Sequence, residues 1–228
     1  MIGILAGLII SWILLYAIEK NSILVLGLFP NTQRLLQFGI GFLITALLCI
    51  CVQLSETVLK SYQWSINEKI TGTSILEMLY WDIKSVITEE LIFRGAILYI
   101  LIKKIGTKKG IFISAIAFGM YHWFSYGIFG NIIPMVFIFV GTGLMGYAWA
   151  LAFSKTESMA MPIGLHLGWN FTFNTIFSNG PLGHGILLSE SEKISSSWFS
   201  ILGLWIVPLI VLIIVIRFVP EKKNELIK

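Results

Sequence analysis

Long apolar runs separated by short polar breaks fill almost the whole chain. Runs over 2–18, 35–52, 76–102, 111–124, 132–153, 159–177 and 198–219 have the length of helices that cross, or nearly cross, a bilayer core about 30 Å thick. No basic residue precedes the first run and no small-residue cleavage site follows it, so it reads as an uncleaved span rather than a secretory signal. A brief patch at 23–29, ending at Pro30, is interfacial or extends the first hairpin. The mixed stretch 54–73 carries Glu56, Lys60, Glu68 and Lys69 and reads as a loop or surface helix. The stretch 178–197 reads as a polar loop. In the fifth run, Gly141, Gly143 and Gly146 are small residues that let helices approach closely.

This pattern predicts an all-α, polytopic membrane protein of about seven transmembrane helices. It has three parts: N-terminal helices and a polar loop over 1–75, a four-helix core over 76–178, and a loop, last helix and basic tail over 179–228. Composition agrees: 57% of the 228 residues are hydrophobic and only 12% are charged, against about a quarter charged in soluble domains. The net charge of +4 sits at the ends of apolar runs, which argues against a nucleic-acid-binding face. Cys49 and Cys51 are two apart in an apolar run, so they point away from each other and read as buried small hydrophobes rather than a disulfide or metal pair.

Seven spans put Lys20, Arg34, Lys103, Lys104, Lys108, Lys109, Lys155, Arg217, Lys222, Lys223 and Lys228 on one side. The other side has Lys60, Lys69, Lys84 and Lys193. The positive-inside rule then predicts a cytoplasmic C-terminus and an external N-terminus.

The third run is the unusual one, since it contains Thr88-Glu89-Glu90-Leu91-Ile92-Phe93-Arg94. Charges at membrane depth are costly and mark functional interiors. Glu90 and Arg94 are four apart, the favourable order for an ion pair on one helix face. Glu89 is rotated by about 100° and left as the free carboxylate. Counted along single helices, Glu89 lies thirteen residues from the end of its run, His122 eleven, His166 seven and Asn170 eleven. Three helices thus bring polar groups to a similar depth, about 10–20 Å from the basic end. His166 and Asn170 are also four apart, placed to donate hydrogen bonds to one oxygen as an oxyanion hole needs.

Each piece also has a plainer explanation. A lone intramembrane histidine often just bonds a neighbouring helix, and the Glu-Glu-Arg group could lock helices or form a proton path. Asn174 reads as packing glue, and His184, between Gly183 and Gly185, as a solvated loop residue.

Together, Glu89-Glu90-x-x-x-Arg94, Phe118-x-x-x-His122 and His166-x-x-x-Asn170 resemble, in order, the three motifs of the CAAX protease and bacteriocin-processing family. These are intramembrane endopeptidases that include the type II CAAX prenyl endopeptidases and bacterial relatives once called Abi proteins. The resemblance covers about 76–177. It implies hydrolysis of a peptide bond in a membrane-associated peptide or protein. Glu89 and His122 would activate water, His166 and Asn170 would stabilise the oxyanion, and Glu90 and Arg94 would support the site. The family has been described both as metal-dependent and as using glutamate without metal. Glu89, His122 and His166 would suffice as three zinc ligands, but no His-Glu-x-x-His helix occurs, so water activation by glutamate and histidine is the preferred expectation.

Two other classes compete. A non-proteolytic binding or immunity protein could sequester a bacteriocin-like peptide. A proton-coupled transporter could use Glu89 as carrier, although the fifth and seventh runs offer almost no polar residues for a path. The expected setting is a bacterial cell membrane, with lipid and a peptide substrate as partners and no nucleic acid. Neither substrate identity nor oligomeric state follows from the sequence.

Overall fold

The computed structural model describes residues 2–60, 63–189 and 202–222. The expected start of the last span at Trp198, and Lys193, Lys223 and Lys228, lie outside the described residues. Helices dominate: α1 (Ile2–Leu14), α2 (Thr32–Lys60), α3 (Gly72–Phe93), α4 (Ala96–Ile105), α5 (Thr107–Ser125), α6 (Ile132–Thr156), α7 (Ala160–Phe171) and α8 (Val207–Phe218). π-helical turns extend α1 over Leu15–Glu19 and α7 over Thr172–Ile176, and another, Leu202–Ile206, leads into α8. The all-α expectation holds. Three helical stretches, Ile2–Glu19, Thr32–Leu59 and Ile132–Thr156, are long and apolar enough to cross a membrane. Large apolar side chains such as Ile9, Ile13, Leu43, Leu47 and Ile213 lie on the outside, the inverse of a water-facing surface.

Three details depart from the sequence reading. The run 76–102 is not one helix: it breaks at Arg94–Gly95 into α3 and α4. Gly95 comes so close to the carbonyl oxygen of Leu91 that any β-carbon would collide with it, so the turn needs glycine. Residues 54–60 are helical, as one of the two alternatives for 54–73 has it, but they continue α2 rather than forming a separate surface helix. The polar stretches 63–70 and 178–189 meet in an antiparallel ribbon, β1 (Trp64–Ile66) with β2 (Leu187–Ser189), in which Ser65 pairs with Leu188. Two segments of weak strand character, more than a hundred residues apart, carry no periodic signal that would pair them. Cys49 is buried as expected, whereas Cys51 is exposed.

The basic loops gather at one end of the bundle. Lys104 pairs with Glu19 at 3.0 Å and Lys222 with Glu157 at 3.3 Å. Lys155 Nζ donates to the carbonyls of Val215, Ile216 and Val219 at 2.8–3.1 Å, supplying the acceptors at the end of α8 with a cation. The amide of Met159 donates to Leu26 at 3.0 Å. The ribbon forms at the opposite end.

The closest helix pair is α2 with α7. β-carbons at Gly164 and Gly168 would strike the carbonyl oxygens of Phe38 and Phe42, and one at Gly41 would strike Met161. The steps of four on both helices show that they run parallel. Thr45 Oγ1 donates across the seam to the Leu165 carbonyl at 2.6 Å. Small residues at the contact allow this approach, as membrane helices require in the absence of a hydrophobic drive between them. The glycines of α6 act similarly: Gly146 faces the Phe118 ring and Gly141 faces Leu204.

Candidate active site

The site is built where the last turns of α3 meet α7, α5 and α6. Glu90 and Arg94 are fully buried, with Glu90 Oε1 3.3 Å from an Arg94 nitrogen, so the ion pair expected from their spacing forms. Sequence spacing did not reveal the second partner of Glu90. The same Oε1 lies 2.8 Å from His166 Nδ1, and a carboxylate in that position accepts the Nδ1 proton. Glu90 therefore orients the α7 histidine as well as pairing with its own helix. The α2–α7 seam fixes α7 along the bundle and so sets the height of His166 against Glu90.

None of the Arg94 guanidinium nitrogens makes a hydrogen bond among the described residues. Besides the Glu90 carboxylate, its charge is met by aromatic faces. The guanidinium carbon lies 4.1 Å from the Phe118 ring centre and 4.9 Å from that of Trp149, within cation–π range. Trp149 also stacks on the His166 ring, with centroids 4.2 Å apart and planes inclined by 26°. This α6 indole therefore packs against both the cation and the imidazole. In the sequence it is one Trp among eight and carries no motif, so nothing marked it.

Glu89 is set apart from this locked corner. Its side chain is 14% exposed, with Oε2 3.8 Å from His166 Nε2. Its Oε1 accepts a hydrogen bond from Ser85 at 3.2 Å. Ser85 stands one turn before Glu89 on the same face, and that spacing was the available clue to it. The break at Gly95 revises the depth count: Glu89 lies one turn from the end of α3, not thirteen residues from the end of a single helix.

His122 is buried on α5, with Nδ1 2.8 Å from the Phe118 carbonyl one turn earlier. That acceptor holds the proton on Nδ1 and leaves Nε2 with its lone pair. The rings of Phe118, Tyr121 and Tyr126 surround it, with centroids 4.5–5.2 Å away. Of the pair expected to activate water, Glu89 lies 3.8 Å from His166 and shares the cavity with His122.

That cavity measures about 620 Å³. Glu89, His122, His166 and Asn170 all line it, together with Ser85 and Tyr126. Apolar residues, among them Ile138, Met145, Leu204 and Pro208, also line it. Asn174 donates to Asp82 Oδ1 at 2.6 Å, tying α7 to α3 in the packing role expected for it. His184 is exposed on its loop.

Zinc would require three converging donors. Among the described residues, no three histidine, cysteine, aspartate or glutamate side chains stand gathered closely enough to hold a metal ion; Glu89 and His166 approach to 3.8 Å, and His122 joins them as a lining residue of the same cavity.

Neither the curated proteins nor the solved structures compared give a match. A family model does. Residues 71–172, from the start of α3 to the end of α7, match the family described as Rce1-like, type II CAAX prenyl endopeptidase Rce1-like. The match spans every motif residue at the cavity, and it bears out the resemblance seen in the three motifs: the segment is similar to the Rce1-like CAAX endopeptidases.

Proposed function

We propose that the protein is an intramembrane endopeptidase that hydrolyses a peptide bond of a membrane-associated peptide or protein at the Glu89–His122–His166–Asn170 cavity. The family match supports a CAAX-type intramembrane protease in general. The observation that carries the finer reading is the sharing of one cavity by a carboxylate, two histidines and an asparagine from three helices.

In this reading, water enters beside Glu89, which takes a proton as its oxygen attacks the scissile carbonyl carbon. His122, with Nε2 free, is the second base facing the cavity. The carbonyl oxygen becomes an oxyanion, and Asn170 Nδ2 and His166 Nε2 donate to it. Because His166 Nδ1–H is committed to Glu90, donation from Nε2 requires the imidazolium. The C–N bond then breaks, and the proton taken from water passes to the leaving amine. Glu90 and Arg94 hold His166 in place and touch no reacting atom. The basic end of the bundle is assigned to the cytoplasm by its lysines and arginines.

Comparative peptidomics of membranes carrying the wild-type protein and Glu89→Gln tests this. Cleavage products present with the wild type and absent with Glu89→Gln and His122→Ala, at equal protein levels, are expected. Normal processing by both variants would overturn the enzyme reading. Retained protection against a membrane-active peptide by both would favour the binding or immunity role. Metal analysis of the purified protein, with activity measured after chelation, checks the metal-free mechanism.

A further inference from the structure

Gln53 stands on α2, outside the segment that matches the family, and its side chain lines the catalytic cavity. It is 2% exposed, and its Nε2 is buried with no hydrogen-bond partner among the described residues. Buried polar groups are nearly always satisfied, and an exception calls for an explanation. Apolar side chains of the same length would fill the site without that cost. The neighbouring hydrogen bond from Thr57 Oγ1 uses the backbone carbonyl of Gln53 and does not involve the side-chain Nε2.

We infer that the Gln53 carboxamide binds the main chain of the substrate at a distance from the scissile bond, a role that rests on the protease reading above. A carboxamide offers one acceptor and two donors, the complement of a peptide group, so it recognises extended backbone without selecting a side chain. Register along the α2–α7 seam gives the distance. Gly168 packs on Phe42. Gln53 is eleven residues beyond Phe42 and so about 16 Å further along α2. Asn170 is two residues beyond Gly168, or about 3 Å along α7. Gln53 therefore lies about 13 Å nearer the ribbon end than the oxyanion donor. An extended peptide covers that in about four residues at 3.3 Å each. Asn179, Gly180 and Pro181 line the cavity at that end, so the path from Asn170 to Gln53 follows one continuous cavity. The productive substrate is an extended peptide reaching about four residues past the scissile bond on the ribbon side.

The test uses full-length protein in detergent and peptides that span a cleavage site identified by the peptidomics comparison. Gln53→Met keeps the length of the side chain and removes the amide. In a Glu89→Gln background, binding of the labelled full-length peptide should weaken about tenfold, the yield of one neutral hydrogen bond. In the active enzyme, KM should rise by a similar factor with kcat little changed. Peptides shortened to two residues on one side of the scissile bond should bind equally to both proteins, because they no longer reach Gln53. Unchanged affinity, or the same loss for full-length and for both shortened peptides, would overturn the inference. A Glu89→Gln protein that still cleaves would instead overturn the assignment of the catalytic site.

Discussion

Two adjacent carboxylates at the end of α3 occupy opposite environments. Glu90 is fully enclosed, held by Arg94 and His166 on one oxygen. Glu89, one position earlier, reaches the cavity, with only Ser85 and a loose approach to His166 around it. A rotation of about 100° along the helix separates them. The comparison shows how one short sequence builds both halves of a site. The enclosed half fixes geometry at the expense of buried charge, and the open half leaves a carboxylate able to meet water.

Conservative changes at the two positions should therefore have different signatures. Glu89→Gln should lower cleavage about 10²–10⁴-fold, the usual contribution of a positioned acid or base, with no shift in the melting temperature of the purified protein. Glu90→Gln should reduce both cleavage and melting temperature. Equal melting shifts for the two would erase the distinction.

The enclosed half can be broken from its other end. Arg94→Ala leaves Glu90 buried without its cation and should destabilise the protein by about 3–5 kcal/mol in denaturant titrations. The double change Glu90→Gln with Arg94→Met, which removes both charges, should cost less than Arg94→Ala alone. A larger loss in the double variant would mean that the pair contributes more than charge compensation.

The α2–α7 seam brings His166 to Glu90, so a smaller effect is expected from it. Gly164→Ala places a methyl against the Phe38 carbonyl, and the overpacking should cost about 1–3 kcal/mol, with cleavage falling as α7 shifts. The finest effect belongs to Ser85→Ala. It removes one hydrogen bond to Glu89, worth about 0.5–1.5 kcal/mol, and should lower kcat a few-fold without changing thermal stability. These two variants separate the placement of His166 from the placement of Glu89.

Much of the site is legible in the amino-acid sequence. Glu90–Arg94 pairing follows from a four-residue spacing, because ridge neighbours on one helix meet whatever the rest of the fold does. The His166–Asn170 face follows for the same reason, and both residues line the cavity. Of the three glycines of α6, Gly141 and Gly146 are points of close approach as their pattern suggests and Gly143 is not, and the tightest seam uses Gly41, Gly164 and Gly168. Hydropathy does not show the break at Gly95, because the apolar run continues through it without interruption. The β1–β2 ribbon escapes the sequence reading because a three-residue strand has no period to detect.

The sequence by itself determined which segments are helical and apolar, which end of the bundle is basic, and which residues stand one turn apart. Those properties depend on residues close in the chain, where helix geometry alone sets the distances. Only the tertiary structure decided that Glu90 shares its oxygen between Arg94 and His166, and that Trp149 stacks on that histidine. It likewise decided that α2 carries Gln53 into the cavity with its amide unpaired among the described residues. Each of these joins residues from different helices. Such contacts depend on how closely and in what register two helices pack, which the side chains of both partners set together.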